Sequence, residues 1–216
     1  MVPYQIISTG SCGNAVVVNQ SVLIDCGVPF RDLLGVLKSL KLVLLTHIHG
    51  DHFRRATVAR LSRERPTVRF GCCQWMVVPL LRAGVPARAI DVLEPDKQYQ
   101  YGNLCSVEPV SLVHNVPNCG YKLHFHCGKV FYATDTNNLN GISAKHYDLY
   151  LVESNFEDSE IQERIAQKQA EGRYAYEQEV LKNHLSKAKC DDFLYRNMSP
   201  NSEYIYMHSH VSIKDK

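Results

Sequence analysis

No run of apolar residues in this sequence approaches the ~20 needed to span a membrane. The opening stretch, Met1 to Ser8, lacks the basic region and apolar segment of a signal peptide. A cytoplasmic protein with no membrane partner is therefore expected. Surplus charge is also scarce: 24 Lys and Arg stand against 22 Asp and Glu, a net charge of +2. That balance argues against binding by bulk charge, so any contact with nucleic acid is expected to be local. No CxxC pair occurs, which disfavours a Cys-ligated structural zinc site. The eight cysteines read as free, mostly buried thiols, because a chain of 216 residues without an export signal does not need a disulfide framework. Repeats, low-complexity tracts and linker compositions are missing too, and at 45% hydrophobic and 21% charged the sequence reads as one globular domain over residues 1–216.

What is present is a layered α/β pattern. Short apolar runs at Tyr4–Ile7, Ala15–Val18 and Val22–Ile24 predict a β-meander, broken by the turn Gly10-Ser11-Cys12-Gly13-Asn14. Leu33, Leu34, Leu37 and Leu40 predict a helix over 31–40, and the continuous run Leu42–Leu45 predicts a strand buried on both faces. Helices are expected at 53–63 and 74–82 with a strand at 67–70, then strands at 106–113, 121–126, 130–133 and 148–153. Helices at 158–170 and 187–196 and a strand at 204–207 complete the pattern, which is two runs of strands, each followed by helices.

Three of the ten histidines crowd into Thr46-His47-Ile48-His49-Gly50-Asp51-His52, immediately after the most apolar strand. Alternate residues of an extended segment point the same way, so His47 and His49 can grip one cation while Gly50 lets the backbone turn. Asp51 and His52 then face a neighbouring position. Imidazoles with carboxylates suit zinc, manganese or iron, and a mixed set suits an open catalytic site. The bland reading, an N-cap Asp51 in a polar helix start, competes with a chance frequency of about one in a thousand for this spacing. The metal reading prevails. These four side chains cannot complete two metal shells, so another His and a bridging carboxylate must come from elsewhere.

His47-Ile48-His49-Gly50-Asp51-His52 resembles the HxHxDH signature of the metallo-β-lactamase superfamily. Further segments match in the same order: Val22-Leu23-Ile24-Asp25, His114 after Leu112-Val113, Asp135 after Phe131-Tyr132-Ala133-Thr134, and His208 after Tyr204-Ile205-Tyr206-Met207. The resemblance implies a four-layer αββα sandwich with two divalent metal ions, zinc foremost and manganese as the alternative. It implies His47, His49 and His114 at one metal and Asp51, His52 and His208 at the other, with Asp135 as bridge and Asp25 orienting the histidine loop without ligating. His210 competes with His208 for the last position. The segments Ser8–Ala15, Glu153-Ser154-Asn155 and Asn183-His184-Leu185-Ser186 look like the YycJ/WalJ-like branch and its phage relatives, which is associated with DNA exonuclease activity.

The function implied is hydrolysis of phosphodiester bonds in DNA, oligonucleotides or cyclic nucleotides, with a hydroxide shared by the metals as nucleophile. Asp51 and His184 are the expected catalytic residues, His184 contacting a phosphate oxygen or protonating the leaving group. A long inserted domain or exosite arm is not evident, so long structured RNA is a less favoured substrate. His124, His126 and His146 read as strand or surface residues, and Trp75, Tyr99 and Tyr101 as packing rather than base-stacking groups. Two other readings stand beside this one, a thioester or lactone hydrolase of the glyoxalase II kind and a non-catalytic, metal-stabilised nucleotide-binding protein. A homodimer is compatible with all three.

Overall fold

The computed structural model describes residues 2–208. Side chains alternate across each strand, and in the buried strands the two sets enter different cores. In β4 (Leu42–Leu45), Val43 and Leu45 pack with Val58, Leu61 and Leu80, whereas Leu42 and Leu44 pack with Tyr121, Leu123 and Leu151. In β11 (Leu149–Glu153), Leu149 and Leu151 join that second cluster, while Tyr150 and Val152 meet Phe193 and Leu194. Three apolar layers thus separate four layers of structure, which is the αββα sandwich.

The first sheet has the order β1 (Tyr4–Ser8), β2 (Ala15–Val18), β3 (Val22–Ile24), β4, β5 (Arg69–Cys72) and β6 (Ile90–Val92), parallel from β3 onward. The second sheet contains β7 (Tyr99–Tyr101), β8 (Cys105–Leu112), β9 (Asn118–Phe125), β10 (Gly128–Ala133), β11 and β12 (Glu203–Met207), parallel from β10 to β12. Helices α1 (Arg55–Glu64) and α2 (Val77–Arg82) cover the first sheet, and α5 (Lys187–Asn197) covers the second. Between β11 and α5 the chain forms a hairpin of α3 (Asp158–Ala170) and α4 (Glu177–Asn183), with a small core of its own made of Ile161, Ile165, Ala175 and Val180. Among the described residues no helix is long and apolar enough to cross a membrane.

The segment 31–40 departs from its expected helix. Phe30–Leu33 forms one 3₁₀ turn, followed by separate turns closed by Val36 N to Leu33 O and Ser39 N to Val36 O. Gly35 weakens a helix here, and i→i+3 closures still bury Leu33, Leu37 and Leu40 while leaving Leu34 55% exposed. Helix α4 and strands β6 and β7 were not expected. The two strands have three residues each, too few to show a period. Trp75 donates its indole N–H to the Thr46 carbonyl at 3.0 Å, and Tyr99 and Tyr101 pack on the core between the sheets.

Candidate metal centre

Asp25 follows β3, His47 follows β4, Asp135 follows β10, Glu153 ends β11 and His208 follows β12. The C-terminal ends of the parallel strands therefore converge on one place, the usual position for a site in such sheets. Three of these residues stop their strand in a left-handed conformation, Asp25 at φ 59°, Asp135 at φ 56° and His208 at φ 55°. Aspartate and histidine enter this conformation more readily than most residues other than glycine, and surrounding contacts compensate the cost that remains.

Buried Asp25 is the anchor. Its Oδ1 accepts the Thr46 N–H at 2.9 Å, and its Oδ2 lies 2.6 Å from His52 Nδ1. Thr46 Oγ1 stands 3.0 Å from the carboxylate and 2.9 Å from His47 Nδ1. The network assigns the ring proton of each histidine to Nδ1, which leaves Nε2 as the lone pair, the arrangement typical of metal-ligating imidazoles. Asp25 does orient the histidine loop, through Thr46 as well as directly. Asn14 ties the loop from the other side, taking the Gly10 N–H on Oδ1 at 2.9 Å and placing Nδ2 2.8 Å from His52 Nε2.

Two groups of ligand atoms result. His47 Nε2 is 3.1 Å from His49 Nδ1, which is 3.3 Å from His114 Nε2. The His114 ring is fixed by donating Nδ1–H to the Asn183 carbonyl at 3.0 Å. Asp51, His52 and His208 form the second group, with His208 Nε2 3.6 Å from Asp51 Oδ2. Asp135 lies between them, its Oδ2 2.7 Å from His52 Nε2 and its Oδ1 4.0 Å from His114 Nε2 and 3.7 Å from His208 Nε2. All seven sequence-expected ligands are brought together. His210 lies outside the described residues, and His146 is exposed, away from the cluster, with its N–H on the Asn197 carbonyl.

The donor set fits a cation. His208 Nε2 is buried without a hydrogen-bond partner among the described residues, and buried Asp135 Oδ2 has only His52 Nε2 beside it at 2.7 Å, although both lie in a nest of polar atoms. Burial, helped by the neighbouring imidazole of His52, pushes His47 down to about 2, so that ring is neutral and free to donate its lone pair. Burial works against charge on His52 and His208 as well. Asp135 and Asp25 nevertheless raise His52 well above its usual range, and Asp51 and Glu153 raise His208 to about 10. The carboxylates thus favour positive charge at this point, whether a proton or a metal ion supplies it.

Glu153 is a residue of the cluster that the sequence marks only as part of a strand-end motif. It is wholly buried, its Oε2 accepts the N–H groups of Thr136 at 2.8 Å and Leu185 at 3.3 Å, and its Oε1 lies 2.6 Å from His184 Nδ1. His184 caps the C-terminal end of α4 and stacks on His208, with ring centroids 5.2 Å apart and planes 11° apart. Its Nδ1 is 3.6 Å from Asp135 Oδ1, and its side chain is 18% exposed. A glutamate ending a strand of otherwise apolar residues, Leu149-Tyr150-Leu151-Val152, was the available signal.

Gly27 sets how closely the loop approaches. A Cβ there would stand 1.7 Å from the Asp51 carbonyl oxygen and 2.9 Å from the His52 nitrogen, so any side chain must push the ligand loop aside. Gly27→Ala is expected to destabilise the fold by about 2 kcal/mol or more and to lower turnover about 100-fold, since an ångström of misplacement carries that cost. Melting temperature and turnover measured on one preparation check this. A variant equal to the parent in both would mean that the loop has slack.

A family model described as a beta-lactamase superfamily domain matches residues 20–178. No curated protein sequence matches with significance. Among solved structures, the metallo-beta-lactamase fold protein YhfI from Bacillus subtilis aligns over 98% of this chain and 88% of its own, with a TM-score of 0.73 and 15% identity. The short form of human tRNase Z aligns over 97% and 92%, with a TM-score of 0.70 and 14% identity. A diphosphatase from the PhnP family aligns over 97% and 87%, with a TM-score of 0.66 and 14% identity. The strand order, the convergence of strand ends on a His/Asp cluster and the match over most of the sequence agree: the chain belongs to the β-lactamase superfamily, with the metallo-β-lactamase fold.

Proposed function

We propose that this chain is a binuclear metal-dependent phosphodiesterase, acting on DNA, oligonucleotides or cyclic nucleotides. His47, His49 and His114 would hold one ion, Asp51, His52 and His208 the other, and Asp135 would bridge them. Two divalent cations, zinc or manganese, would neutralise charge at phosphorus and bring the pKa of water to about 7.

The observation that carries the reading is the Glu153–His184 pair beside the cluster. With Nδ1 held by the buried carboxylate at 2.6 Å, Nε2 is the free end of the ring and can pass a proton to a departing alkoxide oxygen. Phosphodiester cleavage needs this help because alkoxides are poor leaving groups, whereas a thiolate leaves without it. Glu153 acts as a positioning residue, as the orienting carboxylate does in hydrolytic triads. A diphosphatase and a tRNase among the structural neighbours support phosphorus as the centre attacked.

The test is turnover by metal-replete protein of bis-p-nitrophenyl phosphate and labelled DNA, against an acyl-glutathione thioester. Cleavage of both phosphodiesters, with the thioester at least about 100-fold slower in kcat/KM, is expected. The opposite order would replace this function with the thioesterase reading, and metal binding without any turnover would favour the pure binder.

A further inference from the structure

The net charge of +2 conceals a strong division. Residues 31–90, which supply α1, α2 and the turns covering the first sheet, contain eleven Lys and Arg but only three Asp and Glu; the rest of the chain contains thirteen against nineteen. One of the three acids is Asp51, already in the metal cluster. Arg31 and Arg60 are paired with the other two, Asp32 and Glu64.

Next to the cluster the basic groups are unpaired. Arg54 is the residue from which α1 departs, two positions beyond His52, and it is exposed. Arg55 follows it and donates through Nη2 to the Arg82 carbonyl at 2.6 Å, which brings the end of α2 against the start of α1. Arg54, Arg55 and Arg82 are all exposed, and none has a carboxylate within ion-pair distance among the described residues. The first turn of α1 contains no acid, and α2 adds Val78 and Leu81, 51% and 45% exposed. Three arginines without carboxylate partners, with the aliphatic Val78 and Leu81 exposed on the same helix as Arg82, match a polyanion with apolar surface between its charges, which is a polynucleotide.

The other flank is built the opposite way. Residues 157–183, the α3–α4 hairpin whose end holds His114 and His184, carry seven acids against four bases. Each base there is occupied: Arg164 by Glu160 at 3.2 Å, Lys168 by Glu177 at 2.5 Å, Arg173 by Glu171 at 2.9 Å and Lys182 by Glu179 at 2.7 Å. A phosphate chain gains nothing by crossing it.

We infer that the Arg54/Arg55/Arg82 face of α1 and α2 is a docking surface for the phosphate backbone of a polynucleotide, which enters the metal centre from that flank and not over the α3–α4 hairpin. This rests on the phosphodiesterase reading for the fate of the strand, but the surface itself is read by binding alone. The probe is a fluorescent 12-nucleotide single-stranded phosphorothioate DNA, which resists cleavage, with anisotropy recorded over a range of salt. For R54Q/R55Q/R82Q, the dissociation constant is expected to rise at least about tenfold and the log–log salt slope to fall by about 2, near 0.7 for each lost phosphate contact. Turnover of bis-p-nitrophenyl phosphate stays unchanged, since these exposed side chains touch no ligand residue, and the melting temperature falls only by what the loss of the exposed Arg55–Arg82 hydrogen bond costs. A hairpin control, R164Q/R173Q/K182Q, is expected to keep the parent affinity within about twofold.

Equal weakening by both triple variants, or none by the arginine variant, overturns the assignment. So does tighter, arginine-dependent binding to phosphatidylserine vesicles than to the oligonucleotide, which would make this a membrane surface. Each single arginine variant serves as a check on the folding of the triple, with about a third of its effect on the slope. Should the protein cleave no phosphodiester yet bind the probe through these arginines, the docking surface stands and the phosphodiesterase reading falls.

Discussion

Asp135→Ala is expected to cut turnover at least about 10³-fold, in line with loss of the chief electrostatic element of a two-metal site, and to lower the metal content of the purified protein. Its carboxylate is the group that both ligand clusters share, 2.7 Å from His52 Nε2 and within 4.0 Å of His114, His184 and His208. Only 2% of the residue is exposed, so water cannot take over its role. Burial alone would favour its neutral acid, yet His52 and the neighbouring imidazoles hold it well below the ordinary carboxylate range, as a charged group available to cations. Removing it takes away the carboxylate that lies between the two groups of imidazoles and leaves Asp51 as the one carboxylate among the proposed ligands.

Asp135→Asn separates charge from shape, because it keeps the volume and loses the anion. It should resemble Asp135→Ala in metal content and turnover while melting closer to the parent. His146→Ala, on the exposed surface, should change neither. Elemental analysis, turnover and melting temperature on the same preparations decide it. Comparable losses in the Asp135 and His146 variants would show that the proposed ligand set discriminates nothing.

Much of this centre was legible in the sequence because its candidate ligands sit where local order fixes direction. His47 and His49 lie two apart at a strand end, His208 directly follows a run of apolar residues and Asp135 comes one residue after another, so strand period and strand end together indicate where their side chains go. The residues that were not legible act across the fold. Thr46 bridges Asp25 and His47, Asn14 reaches His52 over 38 positions, and Asn183 holds His114 over 69. These partners are ordinary polar residues, with no composition or spacing that separates them from their neighbours. Backbone conformation was equally hidden: aspartate and histidine tolerate a left-handed turn better than most residues, but most of those among the described residues do not adopt one, so surrounding contacts select Asp25, Asp135 and His208. The segment 31–40 shows the converse case, in which a helical spacing of leucines is satisfied by consecutive turns because burial of Leu33, Leu37 and Leu40 was all that the spacing encoded.

His184 is where structural and functional readings part. Its Nδ1 is held by Glu153, its ring stacks on His208, and its backbone N–H closes α4 on the Val180 carbonyl at 2.9 Å. Asp135, Glu153, His184 and His208 also form a group that can hold a metal ion, so three roles compete: proton donor, ligand and packing element. His184→Ala separates them. A proton donor lost from a pre-formed centre leaves the metal content intact and slows turnover about 10²- to 10⁴-fold, with a larger defect for an alkyl phosphodiester than for bis-p-nitrophenyl phosphate, whose nitrophenolate leaves unaided. A ligand would take a metal ion away with it. A packing element would lower the melting temperature while the folded fraction turned over normally. Glu153→Gln sharpens the choice, because the amide can still contact Nδ1 but no longer bears charge; if Glu153 acts through His184, it should reproduce the same leaving-group bias with a smaller loss. Equal defects for both leaving groups, in either variant, would remove proton transfer from the account and leave His184 only as a contact to the phosphate.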